Sequence, residues 1–332
     1  MSWNIQWNKL TFSSDVSFDE RCRSVFRFQA KNNPFYRRYL SVFGMSFDSS
    51  PDPDEIPLLP IRAFKDAEII TKQEQPALVF RSSGTSGMER SIHLIAEPEL
   101  YRNSITKEFY RHFPREHYSL LCYMPGYNEN PESSLIWMAK YLVEMDSSSC
   151  SSFITAEKQA AGRYIRKIKD NNRIPVLFGA AFGLLDLIDS GFSGLSPDSH
   201  IIETGGMKTF RREMTKTELR QILAEGFGVE ECQIHSEYGM CELLSQMYAI
   251  GGEWFTSPHW VRVTIRDPGN PFRICEPGEQ GKIGLIDLAN VYSCPFILTE
   301  DRGTMNTDGS FQVLGRWNPA DLRGCNFLID RD

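Results

Sequence analysis

The stretch from Arg81 to Arg90 carries the residue types that a polyphosphate ligand requires. Between these two arginines lie the hydroxyl-bearing residues and glycines Ser82, Ser83, Gly84, Thr85, Ser86 and Gly87. Glycine lets a backbone approach a ligand closely, while N–H groups, hydroxyls and arginine side chains all donate hydrogen bonds to phosphate oxygens. This composition suits a nucleotide triphosphate.

Apolar runs at 76–80 and 91–96 flank this loop, and each predicts a short strand. A Walker A loop would open a helix and would contain Lys followed by Ser or Thr, whereas this loop ends in Met88-Glu89-Arg90. Turns are generally rich in Ser and Gly, so the loop alone leaves a phosphate site and a solvated hairpin turn equally open.

The elements around the loop alternate between helix and strand. Helical spacing predicts two helices over 18–43 with a break at Asn32-Asn33-Pro34, and the proline-rich segment 49–60 predicts an extended connector across the surface. Further helices are expected at 98–113, 133–144, 158–169 and 216–225, and short apolar strands at 119–123, 175–178, 201–204 and 232–235. The alternation predicts an α/β fold with largely parallel sheets.

From residue 254 onward the pattern changes to short strand-like pieces at 261–265, 284–288 and 311–314, separated by turn residues. We expect a smaller antiparallel β subdomain there. The predicted organisation is a helical region at 1–75 packed on the main body, an α/β core at 76–253, a β subdomain at 254–315 and a tail at 316–332.

Composition narrows the class of function. The 332 residues carry a net charge of −7 and show no basic stripe with interleaved aromatic residues, so a nucleic-acid partner is not expected. The start of the sequence lacks a basic then apolar leader, and its longest apolar run, 176–188, is too short to cross a bilayer and contains Asp186. We therefore expect a soluble, cytoplasmic protein.

The eight cysteines form no CxxC pair and have no His at ligand spacing, so a zinc site is not expected. In a cytosolic protein they are expected to be reduced, and most to be small buried apolar residues.

Three further segments follow the loop in a fixed order. They are Tyr238-Gly239-Met240-Cys241-Glu242, Thr299-Glu300-Asp301-Arg302-Gly303, and Gly315-Arg316 with Asp321 and Arg323-Gly324. Together with the loop they resemble the adenylate-forming (acyl-adenylate synthetase) superfamily. The segments Glu203-Thr204-Gly205-Gly206, 236–246 and Arg323-Gly324-Cys325-Asn326-Phe327-Leu328 are similar to the acyl-protein synthetase (LuxE) family, the fatty-acid-activating component of bacterial fatty acid reductases. The likeness covers most of the chain after Phe80.

This resemblance implies specific roles. Ser82 to Gly87 would cradle the β- and γ-phosphates of ATP, with Arg90 in the place where such enzymes often have Lys. Gly205 and Gly206 would border the adenine on one face, and Tyr238, followed by Gly239, on the other. Glu242 would hold Mg²⁺. Asp301 would accept hydrogen bonds from the ribose hydroxyls, and Arg316 would lie near the ribose and phosphates.

Two departures from the family pattern affect these expectations. Cys241 stands where the pattern has Thr, and a thiol is a weaker hydrogen-bond donor than a hydroxyl. Typical superfamily members also continue for about another hundred residues as a mobile lid with a catalytic Lys. The expected architecture is therefore the large domain of an adenylate-forming enzyme, α/β sheets flanked by helices plus a small β subdomain, without the usual C-terminal lid.

The resemblance implies that ATP and Mg²⁺ activate a carboxylic, and specifically a fatty, acid to acyl-AMP. The acyl group would then pass to Cys325, for an acyl-CoA-reductase-like partner protein, with Arg316 and Glu242 also acting in catalysis. An acyl-CoA ligase of the phenylacetate-CoA ligase type and a non-catalytic nucleotide-binding subunit remain as alternatives.

Overall fold

The computed structural model describes residues 6–71, 74–82, 90–126, 130–205 and 214–317. The α-helices of these residues are α1 (Trp7–Thr11), α2 (Phe18–Asn32), α3 (Pro34–Ser41), α4 (Ala63–Asp66), α5 (Pro98–His112), α6 (Ser134–Glu144), α7 (Lys158–Asp170), α8 (Ala181–Asp189) and α9 (Lys216–Phe227). The strands are β1 (Leu59–Pro60), β2 (Leu78–Arg81), β3 (Ile92–Ile95), β4 (Tyr118–Tyr123), β5 (Ser152–Phe153), β6 (Ile174–Ala180), β7 (His200–Thr204), β8 (Ile234–Tyr238), β9 (Met247–Ala249), β10 (Val261–Arg266), β11 (Gly281–Asp287), β12 (Phe296–Met305) and β13 (Phe311–Arg316).

A six-stranded sheet in the order β5-β4-β6-β7-β8-β9 forms the body. Its strands pair in parallel except β9, which runs antiparallel to β8. The central strands β6 and β7 are almost fully buried, and β6 is apolar throughout, as is typical of strands covered on both faces. The predicted α/β fold with a largely parallel sheet is confirmed.

The strands predicted on either side of the loop from Arg81 to Arg90 are also confirmed. They form the antiparallel hairpin β2-β3, in which Phe80 lies opposite His93. Phe80 and His93 are both buried, so the hairpin is anchored to the body just before and just after the loop.

A second sheet contains β10, β11, β12 and β13, paired antiparallel in sequence order. Strands were predicted at β10, β11 and β13, but not at β12. A second unpredicted member is β1, which pairs in parallel with β12 through Leu59 and Ile297. The prediction that 49–60 is only an extended surface connector was therefore wrong. Ile56, Leu58 and Leu59 are buried, and this apolar surface draws the end of the connector into the sheet.

The two helices predicted over 18–43 are confirmed as α2 and α3. Ser17 begins α2 with a capping box to Glu20, and the side chain of Asn33 accepts hydrogen bonds from the first amides of α3. These helices pack on the second sheet, where Phe26 and Tyr36 both contact the ring of Phe296. The division of the chain into domains stays a prediction.

Among the described residues, no helix is both long enough and apolar enough to cross a membrane.

Candidate active site

The two sheets meet at Tyr238 and Asp301. Tyr238 is the last residue of β8, and its hydroxyl donates to Oδ2 of Asp301 on β12 at 2.8 Å. The Tyr238 ring also contacts Phe255 and Phe311 edge-on, each with centroids 5.9 Å apart. Burial, followed by the charge of Asp301, holds the pKa of Tyr238 well above its usual value, so the hydroxyl keeps its proton. The aromatic ring is therefore fixed at the carboxyl end of the parallel strands.

Arg316 completes this cluster from the neighbouring strand. It lies opposite Asp301 in the β12-β13 pairing, and its Nε is 3.5 Å from Asp301 Oδ1. Burial raises the pKa of Asp301, and the hydrogen bond from Tyr238 and the charge of Arg316 oppose that effect. The Arg316 side chain is 76% exposed, so the cluster opens to solvent on this side.

Gly205 lies at the same sheet edge as Tyr238. It follows β7 directly, and β7 pairs in parallel with β8 through Thr204 and Glu237. Its φ of 78° is in the left-handed region that favours glycine, and a Cβ added there would meet nothing within 4 Å. Among the described residues, none fills the space next to Gly205 at the carboxyl end of the strands, where α/β folds commonly bind ligands.

Glu242 lies in the turn after Tyr238 and is buried. Burial raises the pKa of its carboxyl group, while a hydrogen bond with the Ser91 side chain acts in the opposite direction. Among the described residues Glu242 forms no ion pair within 4 Å. The charge of Arg316 also lowers its pKa, but not from ion-pair distance. A buried carboxylate without a close ion pair is the kind of group that a divalent cation would stabilise.

The neighbouring Cys241 keeps its proton. Burial and the charge of Glu242 raise the pKa of the Cys241 thiol well above its usual value. Its thiol is therefore a poor nucleophile, because the thiolate is the reactive form.

The two arginines that flank the loop differ in their environment. Arg81 forms a 3.0 Å ion pair with Glu132, which was not foreseen from the sequence, so its charge is partly neutralised within the protein. Arg90 is exposed and forms no ion pair with another described residue. Of the two arginines, Arg90 is the better placed to meet an incoming anion.

Ser82 links the two ends of the loop. Its backbone N–H donates to the Ser91 carbonyl at 3.1 Å, and its hydroxyl accepts from the Ser91 N–H at 3.0 Å. The hydroxyl of Ser82 thus already has a structural role in closing the hairpin.

Two buried acids, Glu203 and Glu237, lie near the carboxyl ends of β7 and β8. Glu237 accepts a short hydrogen bond from the Thr204 hydroxyl, and burial raises the pKa of Glu237 to about 7. The adjacent Glu203 accepts from Lys216 Nζ at 2.9 Å and from the Ser236 hydroxyl. A Cβ added to Gly239 would lie 2.5 Å from Glu237 Oε1, so only glycine fits at that position without displacing the acid.

The structure therefore brings Tyr238, Asp301 and Arg316 together, with Gly205 at the same sheet edge as Tyr238 and with Gly239 and Glu242 in the turn that follows it. The predicted residues Ser83, Gly84, Thr85, Ser86, Gly87, Gly206 and Cys325 lie outside the described residues. Sequence reasoning missed Ser91 and His93, which lie beside the Glu242 turn. A polar pair in the otherwise apolar strand after the loop was the only signal for them.

Solved structures with the same fold are adenylate-forming enzymes. A 2-hydroxyisobutyryl-CoA ligase, crystallised with 2-HIB-AMP and CoA, is 13% identical with a TM-score of 0.64, over 90% of this chain and 67% of that one. ATP-bound MatB from Rhodopseudomonas palustris is 15% identical with a TM-score of 0.51, over 84% of this chain and 52% of that one. A luciferase-like enzyme from the mealworm Zophobas morio is 18% identical with a TM-score of 0.51, over 79% of this chain and 62% of that one.

This chain therefore has the fold of adenylate-forming enzymes and spans between about half and two thirds of the length of these structures. No curated protein matches its sequence. The family model described as "Acyl-protein synthetase, LuxE" matches residues 15–332. The chain belongs to the LuxE acyl-protein synthetase family.

Proposed function

We propose that this chain activates a fatty acid with ATP and passes the acyl group to a cysteine thiol, from which a partner reductase takes it. The observation that carries this proposal is the cluster of Tyr238, Asp301 and Arg316 where the two sheets meet. It offers an aromatic face, a carboxylate and a cation, which suit adenine, ribose hydroxyls and phosphate respectively.

In this proposal Tyr238 and Gly205 border the adenine, and Asp301 accepts from the ribose hydroxyls. A carboxylate has about four lone-pair sites, so Asp301 can accept further hydrogen bonds while it holds Tyr238. Arg316, which is exposed and charged, approaches the ribose and phosphates from the open side. The loop from Ser82 to Gly87, with Arg90, holds the outer phosphates.

Mg²⁺ fits Glu242 by chemistry and by burial. Within the described residues no group of three or more His, Cys, Asp or Glu side chains could hold a metal ion. The cation would therefore be held by one carboxylate together with phosphate oxygens, which is a common arrangement for Mg²⁺. When bound, it would neutralise charge that develops on the phosphates during displacement.

The first step forms a bond between a carboxylate oxygen of the fatty acid and the α-phosphorus of ATP. The bond from that phosphorus to the bridging oxygen breaks, and pyrophosphate leaves with the electron pair. Hydrogen bonds and cations that stabilise this charge supply most of the catalysis in such displacements. The product is a mixed anhydride, acyl-AMP.

In the second step a thiolate attacks the acyl carbonyl carbon, a thioester forms and AMP leaves. We propose Cys325 as the acceptor, since the family resemblance places an acceptor cysteine near that position. Arg323, two residues away, would favour the thiolate form. The cytoplasmic location expected from the sequence stays a prediction.

An experiment with Cys325→Ser tests this function. The variant should still exchange labelled pyrophosphate into ATP in the presence of a fatty acid but should retain no hydroxylamine-labile acyl group, because a serine hydroxyl is far less ionised than a thiol. Absence of exchange in the parent protein would indicate a non-catalytic nucleotide-binding subunit. Undiminished labelling of Cys325→Ser would assign the acceptor to another cysteine, and formation of acyl-CoA without protein labelling would identify an acyl-CoA ligase.

A further inference from the structure

His93 is a completely buried histidine that the proposed mechanism does not use. It lies on β3, three residues after the loop, and Phe64 packs edge-on against its ring with centroids 5.7 Å apart. Its Nδ1 is 2.7 Å from the carbonyl oxygen of Cys241, and its Nε2 is 2.8 Å from Oδ1 of Asn290. Both of these oxygens accept hydrogen bonds, so a neutral ring, which carries one proton, can donate to only one of them.

The partners of Asn290 fix the orientation of its amide. Asn290 Nδ2 donates to the carbonyls of Glu242, at 2.9 Å, and Cys294, at 3.0 Å. Rotating the amide would place its oxygen against both of these carbonyl oxygens. Asn290 Oδ1 therefore faces His93, and the bond from Asn290 to the Glu242 carbonyl does not depend on the histidine.

The carbonyl of Cys241 has no such independent support. A carbonyl oxygen only accepts, so a hydrogen bond at this contact requires a proton on His93 Nδ1. Burial lowers the pKa of His93 to about 4, so the ring is neutral at pH 7 and carries one proton. Among the described residues, the Cys241 carbonyl has no other hydrogen-bond donor. We therefore assign the one ring proton to Nδ1, which leaves Nε2 unprotonated against Asn290 Oδ1.

The residue just before β3 contacts Glu242 itself. Ser91, two residues before His93, hydrogen-bonds to the Glu242 carboxylate with its side chain. Its backbone also closes the hairpin with Ser82. The start of β3 thus joins the end of the loop to the turn that carries Glu242.

We propose that His93 is a positioning residue: its Nδ1–H holds the Cys241 carbonyl and thereby fixes the Glu242 turn against the strand that follows the phosphate loop. The inference rests on the proposed function in taking Glu242 as the carboxylate for Mg²⁺. His93 itself does not touch the nucleotide. It sets the distance between two segments that must bind the same polyphosphate, as residues behind metal ligands commonly do.

Two substitutions of His93 distinguish the roles of the two ring nitrogens. The amide nitrogen of Asn can take the place of Nδ1, and that of Gln can take the place of Nε2. We expect His93→Gln, which loses the bond to Cys241, to weaken MgATP binding about 10–100-fold, as measured by calorimetry. We expect His93→Asn to bind nearly as the parent does. In the nucleotide-free protein, amide hydrogen exchange over 239–246 should be faster in His93→Gln alone.

His235 provides the matched control, because it is equally buried but hydrogen-bonds to Gly251 and His200 instead. His235→Gln should leave both the exchange over 239–246 and MgATP binding unchanged. Equal effects of His93→Gln and His93→Asn, or the same effects in His235→Gln, would overturn the proposal and assign His93 to general stability.

Two further results keep the test decisive. Nitrogen-15 NMR of the parent should find the His93 proton on Nδ1, and a proton found only on Nε2 would overturn the proposal without any variant. A parent that binds no MgATP would overturn the proposed function, whereas the exchange comparison in the free protein would still decide the role of His93.

Discussion

Glu242 combines burial and a raised carboxyl pKa with hydrogen bonds from two neutral groups, the Ser91 side chain and its own backbone N–H. An acid in such surroundings costs stability when ionised unless a cation accompanies it. A surface acid such as Glu279, which pairs with Arg273 at 3.0 Å, has no such requirement. The difference in environment between the two glutamates leads to a direct test.

We predict that Glu242→Gln lowers the rate of pyrophosphate exchange about 100-fold or more, because a neutral amide cannot replace a charged ligand to a phosphate-bound cation. Folding should be nearly unaffected or slightly improved, since the amide removes a buried charge. Glu279→Gln is the control and should exchange at the parental rate. Parental exchange in Glu242→Gln would remove Glu242 from the metal site.

Gly239 gives a second prediction at a single residue. Gly239→Ala would place its methyl group 2.5 Å from Glu237 Oε1, and Glu237 is held by Thr204. We expect a loss of about 1–3 kcal/mol in the free energy of unfolding, as for other overpacked sites, together with weaker nucleotide binding because Tyr238 lies between the two residues. Gly252→Ala is the control, since its Cβ would meet nothing closer than 4.0 Å. Urea unfolding of both variants measures the difference, and equal stability would contradict the predicted clash.

Two adjacent strands of the parallel sheet carry a hydrogen-bonded pair of histidines near their starts. His200 begins β7, and His235 follows the first residue of β8, with ring centroids 5.0 Å apart. The Gly251 N–H donates to His235 Nδ1, so His235 Nε2 carries the proton and donates to His200 Nδ1 at 2.8 Å. A proton added to His235 Nδ1 would break its hydrogen bond from Gly251, and a proton added to His200 Nδ1 would break its hydrogen bond from His235.

This pair predicts a pH dependence of stability. Burial, with the charges of His200, Arg220 and His112, lowers the pKa of His235 to about 3, against about 6.5 in the unfolded chain. Below pH 6.5 the unfolded state therefore binds more protons, and stability falls as pH falls towards 3. The expected loss from His235 between pH 7 and pH 5 is about 2 kcal/mol.

The measurement compares urea unfolding of the parent and of His235→Asn at both pH values. The Asn oxygen can still accept from Gly251 but does not titrate, so the variant should lose less stability on acidification. Buried acids with raised pKa values, such as Glu237 and Asp287, act with the opposite sign and contribute equally to both proteins. Identical pH dependence in the two proteins would contradict the prediction.

Elements with a strong local pattern were predictable from the sequence. The helical spacing of α5 and the apolar run of β6 identify each element within its own residues. The two-residue strand β1 was not predictable, because Leu59 is a strand residue only through its pairing with Ile297. Its environment is set by residues that are distant in sequence, which no local pattern records.

The same distinction applies to the site. Tyr238, Asp301 and Arg316 were selected because they occur in recognisable segments, and the structure places them in contact. The hydrogen bond from Tyr238 to Asp301 and the position of His93 behind Cys241 depend on how two sheets and a hairpin pack together. Such contacts between sheets are tertiary, so the sequence alone could not identify them.

At the scale of the whole molecule, the 76% exposure of Arg316 leaves the proposed ribose end open to water. Acyl-AMP reacts with water, and enzymes that form such intermediates commonly exclude it. We predict that an acyl-CoA-reductase-like protein docks over the face carrying Asp301 and Arg316, and that it lowers the amount of AMP formed per thioester towards one. Quantifying AMP and thioester with and without this partner tests the prediction. An unchanged ratio would show that the partner does not shield the adenylate, and bovine serum albumin controls for nonspecific protein effects.

The contact between Gln29 on α2 and the carbonyl of Val291 joins residues separated by 262 positions. During synthesis at about 5–20 residues per second, α2 leaves the ribosome on the order of tens of seconds before the segment on which it packs. During that interval the apolar side of α2, with Val25 and Phe26, is not yet covered by the segment on which it packs in the folded protein. Translation speed and chaperone supply should therefore influence the yield of native protein more than they would for a chain whose first helices pack on their immediate neighbours.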